Sequence, residues 1–332
     1  MTMTNPARRP RMNTRPALLS VRSLRSMLRL PPAWTPYVLL SPFIILFLVF
    51  GLFPLLFSLY LAFHSWEPSA GLEAMQYVGF DNFTFSLQDE WFWKSLKNTL
   101  WMATASGVPQ HLLAIPLACF IHAGLKRSRN AIVGAYFMPY ITSTVAIAIM
   151  FTALFSTNFG LINLVLEELA QLPGLGRLLP QEPIDWTTNS DYIKPAVSIV
   201  VFWRYLGFNI VLYLAALQTI PAELYEAARM DGAGRLQQFR YITLPSLRPI
   251  MYFGVTLSVV GGLQLFEEPF ILTAGNGGSD QAGMTTAIYL YRMAFDFNDF
   301  GAASAMSWLL FAVVVAMTWL TNRAFRTRVP SA

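Results

Sequence analysis

Tyr37-Val-Leu-Leu-Ser-Pro-Phe-Ile-Ile-Leu-Phe-Leu-Val-Phe-Gly-Leu-Phe-Pro-Leu-Leu-Phe-Ser-Leu-Tyr-Leu-Ala-Phe63 runs for 27 residues without a charged side chain. As a helix it would be about 40 Å long, more than the ~30 Å hydrocarbon layer of a bilayer. Five further stretches read the same way: about Asn98 to Ile121, Ile132 to Phe155, Ile193 to Leu217, Ile250 to Leu272 and Gly301 to Leu320. Composition agrees, because only 12% of the 332 residues are charged and 55% are apolar, against roughly a quarter charged in an average soluble domain. The expected fold is therefore an all-α integral membrane protein with six transmembrane helices. That hydrophobicity excludes disorder, and the single cysteine, Cys119, excludes a disulfide scaffold. A basic region before Tyr37 imitates a signal sequence, but the apolar run exceeds a ~7 to 15 residue signal core and no small-residue cleavage site follows closely. It reads as a retained first span.

Charge placement predicts the topology. Residues 1–36 hold seven arginines and no acid, and Lys126, Arg127 and Arg129 follow the second run. Arg229, Arg235, Arg240 and Arg248 follow the fourth run, and Arg323, Arg326 and Arg328 close the chain. These segments carry 17 of the 23 basic residues, whereas the alternate connections, with Glu267 and Glu268 counted there, carry 15 of the 18 acids. Short loops rich in Lys and Arg stay in the cytoplasm, so both termini are expected inside. The net charge of +5 then reports topology and implies no nucleic acid. The domain reading is a basic cytoplasmic arm at 1–36, a permease domain at 37–325 with an inner loop at 219–245, and a cytoplasmic tail at 326–332. The basic arm reads as a solvated, lipid-facing segment, with a binding site for a partner as the alternative.

Several chemistries lack their motifs. None of the four lysines, Lys94, Lys97, Lys126 and Lys194, follows glycine, so no phosphate-binding P-loop is present. His64, His111 and His122 are far apart, and no His-Glu-x-x-His, Cys-x-x-Cys or Gly-x-Ser-x-Gly occurs. No metal, cofactor or catalytic residue is expected in this chain. Cys119 reads as a small packing residue and His111 with Gln110 as an interhelical hydrogen-bonding pair.

The connection after the fourth run, from Thr219 to Pro245, carries the most information. Pro221 suits a first helical position with Thr219 as a nearby cap, and Ala222 to Met230 are good helix formers. Gly232 and Gly234 then stop the helix and permit a sharp turn, and a second short helix from about Arg235 should end before Pro245. Such a helix-turn-helix presents Glu226 beside a smooth Ala227-Ala228 patch, a surface able to sink into a groove of another protein.

Glu226-Ala227-Ala228, Gly232, Ile242 and Leu244-Pro245 stand at the spacings of the EAA loop of binding-protein-dependent ABC importers. The chain thus resembles the membrane subunits of these importers over about residues 37–325. Val78-Gly-Phe-Asp-Asn-Phe83, Asn98-Thr99, Gly160 to Asn163, Trp203 with Gly207-Phe208-Asn209, Asp231-Gly-Ala233 and Thr285-Thr286 are similar to the carbohydrate branch, of maltose and glycerol-3-phosphate type. Leu272-Thr-Ala-Gly275 is close to that branch's turn, but Asn276-Gly-Gly-Ser279 departs from its usual continuation, which leaves the shape of the turn open.

This resemblance implies a type I ABC permease fold in a bacterial or archaeal cell membrane. It implies, as partners, a second homologous permease subunit, two ATP-binding subunits that hold ATP and Mg, and an extracytoplasmic solute-binding protein docking on about 64–97 and 156–192. Glu226, Ala227, Ala228, Asp231, Gly232, Ile242, Leu244 and Pro245 would form the ATPase-coupling surface. The substrate candidates are Trp203, Arg204, Gly207 and Asn209 in the fourth run with Gln264, Phe266, Glu267 and Glu268 in the fifth. Arg204 lies near mid-membrane, where an ion faces a cavity or a partner, so it contacts either the solute or a neighbouring helix. Gly261, Gln264 and Glu268 are spaced to share a helix face, and the two acids either serve the solute, cap the helix at the headgroups or contact the partner subunit. An imported oligosaccharide is the first reading; glycerol-3-phosphate, a polyol or another small polar solute is the alternative. A membrane enzyme would need polar catalytic clusters, and an ion-coupled transporter would not need this loop.

Overall fold

The computed structural model describes residues 34–124, 128–174, 176, 179–180 and 182–325. The expectations for the arginine-rich arm before Trp34, for Lys126 and Arg127, and for the tail from Arg326 lie outside the described residues. The chain divides into two compact units, Met1–Phe57 and Ser58–Ala332.

Helix α1, Thr35–Leu61, begins in the first unit. It contains Pro42 and a π turn at Leu48–Leu52, where the Phe53 N–H reaches back to the Leu48 carbonyl. Pro54 follows directly. A proline lacks the N–H of the α ladder and its ring presses on the carbonyl four residues earlier, and the wider turn relieves both. Stacked pairs one helical turn apart, Phe43 with Phe47 and Phe53 with Phe57, line this segment.

In the second unit, a two-residue hairpin pairs β1, His64–Ser65, with β2, Gln76–Tyr77. Helices α2, Asp81–Gln88, and α3, Glu90–Gly124, follow. At 35 residues α3 is about 52 Å long, so it starts well before the expected Asn98 and continues past the hydrocarbon.

The third run is a broken span. Helices α4, Arg129–Ile141, and α5, Thr144–Leu154, meet at a 93° bend. Pro139 interrupts the ladder of α4, and Ser143 is extended at φ −54°, ψ 130°. The break falls at Thr142-Ser143, and a hydropathy reading passes over it because the run carries no charge there and is apolar on both sides.

Helix α6 is Leu161–Ala170, and α7, Ile193–Leu217, has the bounds expected of the fourth span. Helix α8, Ala222–Met230, leads to the short α9, Arg235–Gln238, a π turn at Phe239–Thr243 and α10, Leu244–Leu263. The expected stop before Pro245 therefore does not occur. As at Pro54, a π turn ends two residues before the proline and carries the helix through it.

The fifth run reaches Leu272 as expected, but not as one unbroken helix. After Leu263 the backbone leaves helical geometry at Gln264 and Phe266, then re-forms α11, Glu267–Leu272. Helix α12, Thr286–Phe295, precedes α13, Phe300–Phe325. The described residues thus hold five helices long and apolar enough to cross a membrane, or six with the bent pair counted as one.

Small residues set the helix spacing. A Cβ at Gly262 of α10 would stand 2.7 Å from the Ala103 Cβ of α3, and one at Gly107 would touch Ser258 at 3.9 Å. These two small-residue stripes let the backbones approach, the usual basis of packing where lipid replaces water. Below them Ala114, Ala118, Ile121, Ile210, Tyr213, Leu217 and Leu247 form a buried cluster, with Cys119 against it as a packing residue. Phe311, Val315 and Trp319 of α13 stay exposed along one face, as lipid-facing residues do.

Candidate functional site

Two places could serve transport, the 219–245 loop and a cavity among α3, α4, α7 and α10. Helix α8 ends in a hydrogen-bonded Schellman turn. The Ala233 N–H bonds the Ala228 carbonyl at 2.8 Å and the Gly232 N–H bonds the Arg229 carbonyl at 3.0 Å, with Gly232 at φ +79°. Gly234 has ordinary negative φ, so only the first glycine is needed for its backbone freedom. Pro221 occupies the N-cap itself, and the Thr219 hydroxyl donates to the Ala216 carbonyl instead of capping α8. Across the loop the Tyr225 and Thr243 hydroxyls meet at 2.9 Å, which braces α8 against the π turn.

Glu226, Ala227, Asp231, Gly232 and Pro245 are exposed, while Ala228, Ile242 and Leu244 are partly buried. Glu226 is 3.9 Å from Arg229 one turn on, an exposed pair of little energetic weight. Leu224, Met230, Leu236 and Tyr241 are also exposed, and Met230 is 89% open. This apolar surface around Glu226 escaped the sequence reading, although Leu224 and Met230 flank the motif.

The cavity encloses about 230 Å³ and is lined by Ser106, Gly107 and Gln110 of α3, Tyr140 of α4, Val201, Tyr205, Phe208 and Asn209 of α7, and Leu257, Ser258, Gly261, Gly262 and Leu265 around α10. Tyr140 stacks on Phe208 with centroids 4.7 Å apart. Gln110 Nε2 donates to the Val201 carbonyl, and Asn209 Nδ2 donates to Gln110 Oε1 and the Tyr205 carbonyl. Asn209 Oδ1 is buried with no hydrogen-bond partner among the described residues. Next to Gln110, His111 joins three helices through the Tyr213 hydroxyl at 2.6 Å and the Ser258 hydroxyl at 3.0 Å. Both residues are interhelical links.

Of the eight expected substrate residues, only Asn209 lines this cavity. Trp203 turns outward with its edge on Phe151. Gly207 is a crossing point: a Cβ there would fall 1.6 Å from the Tyr136 carbonyl oxygen of α4. Arg204 is anchored by a neighbouring element, its Nη1 donating to Glu268 Oε1 at 2.8 Å and to the Tyr205 hydroxyl at 3.2 Å. Glu268 is buried at 3% exposure, not a headgroup cap, whereas Gln264 and Glu267 are exposed and Phe266 stacks on Phe270. The break after Leu263 separates Glu268 from the face of Gly261 and Gln264. Ser106 and Tyr205 are the missed polar residues, each four positions along its helix from a residue already singled out, Gln110 and Asn209; that pattern of polar pairs was the available signal.

The segments expected to face outward are held by side chains on backbone. Asn98 Nδ2 donates to the Gln281 and Met284 carbonyls, and the Thr286 N–H donates to the Thr99 hydroxyl at 2.9 Å. Asn163 exchanges hydrogen bonds with Ile184 and accepts from Trp186 Nε1. The departing turn at 276–279 is built on Gly275, Gly277 and Gly278, all at positive φ. Tyr289 donates to Asp89 at 2.5 Å, and burial together with that carboxylate pushes its hydroxyl well above the ordinary tyrosine range. Burial raises the Asp185 carboxyl, but the Thr188 hydroxyl and the Thr188 and Thr187 N–H groups outweigh it and hold the carboxyl below its ordinary value.

A family model described as the binding-protein-dependent transport system inner membrane component matches residues 110–328. The arabinooligosaccharides transport system permease protein of Bacillus subtilis (strain 168) is 32% identical over 291 residues, covering 86% of this chain and 87% of the relative. The lactose transport system permease protein of Rhizobium radiobacter is 31% identical over 293 residues, covering 88% and 94%. Among solved structures, a chain of a bacterial alginate ABC transporter in complex with an alginate pentasaccharide-bound periplasmic protein superposes with a TM-score of 0.74. Its identity is 26%, over 88% of this chain and 94% of that one.

Proposed function

The chain belongs to the family of binding-protein-dependent transport system inner membrane components, and on that premise we propose that it is a permease subunit of an ABC importer for a carbohydrate. The observation that carries the coupling role is the exposed helix Ala222–Met230, closed by the Schellman turn at Gly232 and set with Glu226, Leu224 and Met230 on open surface. A braced, exposed helix of this size fits a groove on an ATPase subunit and transmits its closure as a rigid body. Glu226 would meet a basic group there, and Ala227 and Ala228 would allow close approach. ATP and Mg belong to the two ATPase chains.

The cavity supports carbohydrate as the solute. It combines stacked rings with amides and hydroxyls, and sugars offer apolar C–H faces and hydroxyl groups to such surfaces. Two of the relatives carry the names of permeases for arabinooligosaccharides and lactose, and the alginate transporter's periplasmic protein carries a pentasaccharide. Solute would come from a solute-binding protein on the outer face, with a second permease subunit completing the path and both termini of this chain in the cytoplasm. The test is hydrolysis: the purified chain should release no phosphate from ATP, whereas its complex with the ATPase chains and the second permease should hydrolyse ATP faster when the loaded binding protein is added. Hydrolysis by the chain alone, with contaminants excluded, refutes the reading.

A further inference from the structure

The cavity is lined by thirteen residues, and none of them is charged. The nearest buried ions are Arg204 and Glu268, with side chains only 12% and 4% exposed, and they neutralise one another at 2.8 Å. Arg204 meets the cavity wall at Tyr205: its guanidinium carbon lies 5.1 Å from the ring centroid and its Nη1 also donates to the hydroxyl. A guanidinium has no lone pair to offer, so Tyr205 Oη must accept that bond. The hydroxyl proton is then left without an acceptor among the described residues, on a side chain that lines the cavity.

One turn along α7, Asn209 supplies the complement. Its Nδ2 is committed to Gln110 and to the Tyr205 carbonyl, and its buried Oδ1 has no partner. The wall therefore presents the Tyr205 hydroxyl proton and the Asn209 oxygen lone pairs, with the Tyr140 hydroxyl as a further group able to donate and accept, beside the stacked rings of Tyr140 and Phe208. A sugar hydroxyl satisfies both, because it donates and accepts. A carboxylate only accepts: it would face the Asn209 oxygen lone pair and would lose its hydration with no free cation in return.

We propose that this cavity selects neutral over acidic carbohydrate, and that the Arg204–Glu268 pair is the specificity device, Glu268 cancelling the arginine charge while Arg204 turns the Tyr205 hydroxyl proton toward the solute. The inference rests on the cavity lying on the solute's route. Neither residue needs to touch the sugar; both are positioning residues.

The experiment uses the complete importer, with its partner membrane and ATPase chains but without the solute-binding protein, in lipid nanodiscs. Equilibrium dialysis measures retention of labelled arabinopentaose and of labelled alginate pentasaccharide. The wild type should prefer the neutral probe, and Glu268→Gln, which frees the guanidinium charge, should move the ratio at least about tenfold toward the acidic probe. Arg204→Gln should move it the other way, and the double variant Arg204→Gln/Glu268→Gln should return it to the wild-type value. If a single variant fails to assemble, the remaining single variant and the charge-free double variant carry the comparison.

A pair with a purely structural role would lower retention of both probes together. An unmoved ratio therefore overturns the proposal, as does a wild type that prefers the acidic probe or retains neither. Tyr205→Phe and Asn209→Ala separate the two levels of failure. If neither alters retention of the neutral probe, the cavity lies off the route and the inference falls with it. If both reduce retention while the charge variants leave the ratio unmoved, the cavity reading stands and the selectivity inference alone is wrong.

Discussion

Gly232 gives a clean test of the coupling helix, because a Cβ built there meets nothing within 4 Å. Any effect of Gly232→Ala then comes from the backbone. The residue sits at φ +79°, where an L side chain costs roughly 1–2 kcal/mol, enough to lower the population of the turn about 5- to 30-fold against competing turns. Asn tolerates this region better, so Gly232→Asn should lose less. Gly232→Pro should lose most. It fixes φ near −65° and deletes the N–H that bonds the Arg229 carbonyl, worth about 1 kcal/mol more. Binding-protein-stimulated ATP hydrolysis and uptake, measured in vesicles at equal subunit levels, should fall together in the order Gly, Asn, Ala, Pro. Docking of the loaded binding protein should change little, since the loop lies at the opposite end of α7 and α10 from the segments expected to receive it. A proline variant that couples as the wild type does would refute the argument, and so would an alanine variant as damaged as proline.

Glu226→Lys, on a side chain 66% exposed, should leave folding intact and reduce co-purification of the ATPase chains by charge reversal; unchanged co-purification counts against the contact. Gly207→Val places atoms where the Tyr136 carbonyl stands, 1.6 Å from the first of them, so α4 and α7 must separate at a cost of about 1–3 kcal/mol or more. Thermal unfolding in detergent should register a clear drop, and an unchanged midpoint would contradict the close crossing. Reporter fusions after residue 10 and after residue 328 should both report cytoplasm, and one external signal would remove the inside-inside topology.

Sequence reading located what is local and periodic. The bounds of α7 and α8 follow from a long, mostly apolar run that holds Arg204 midway and from a stretch of helix formers ended by Gly232, and the structure places both elements there. It missed backbone events inside uniform composition. The bend between α4 and α5 lies in a run without charge, and the π turns before Pro54 and Pro245 turn an apparent stop into a continuation. The cavity was harder still, because its walls come from four helices whose meeting depends on contacts such as Gly262 on Ala103 and Gly207 on Tyr136. Gly207 beside Trp203 looks like part of a sugar surface until the Tyr136 carbonyl above it is known. Arg204 and Glu268 were singled out as intramembrane charges, yet 64 residues of sequence separate them and nothing in the pattern pairs them.

ATP-dependent uptake tests the central claim most directly. Vesicles should hold this chain with its permease and ATPase partners, and receive labelled arabinooligosaccharide or lactose on loaded binding protein. The account predicts accumulation of at least one such carbohydrate that requires ATP on the side of Glu226 and disappears when this chain is omitted. Accumulation that persists without the chain, or none of either sugar by a complex that hydrolyses ATP, would contradict it.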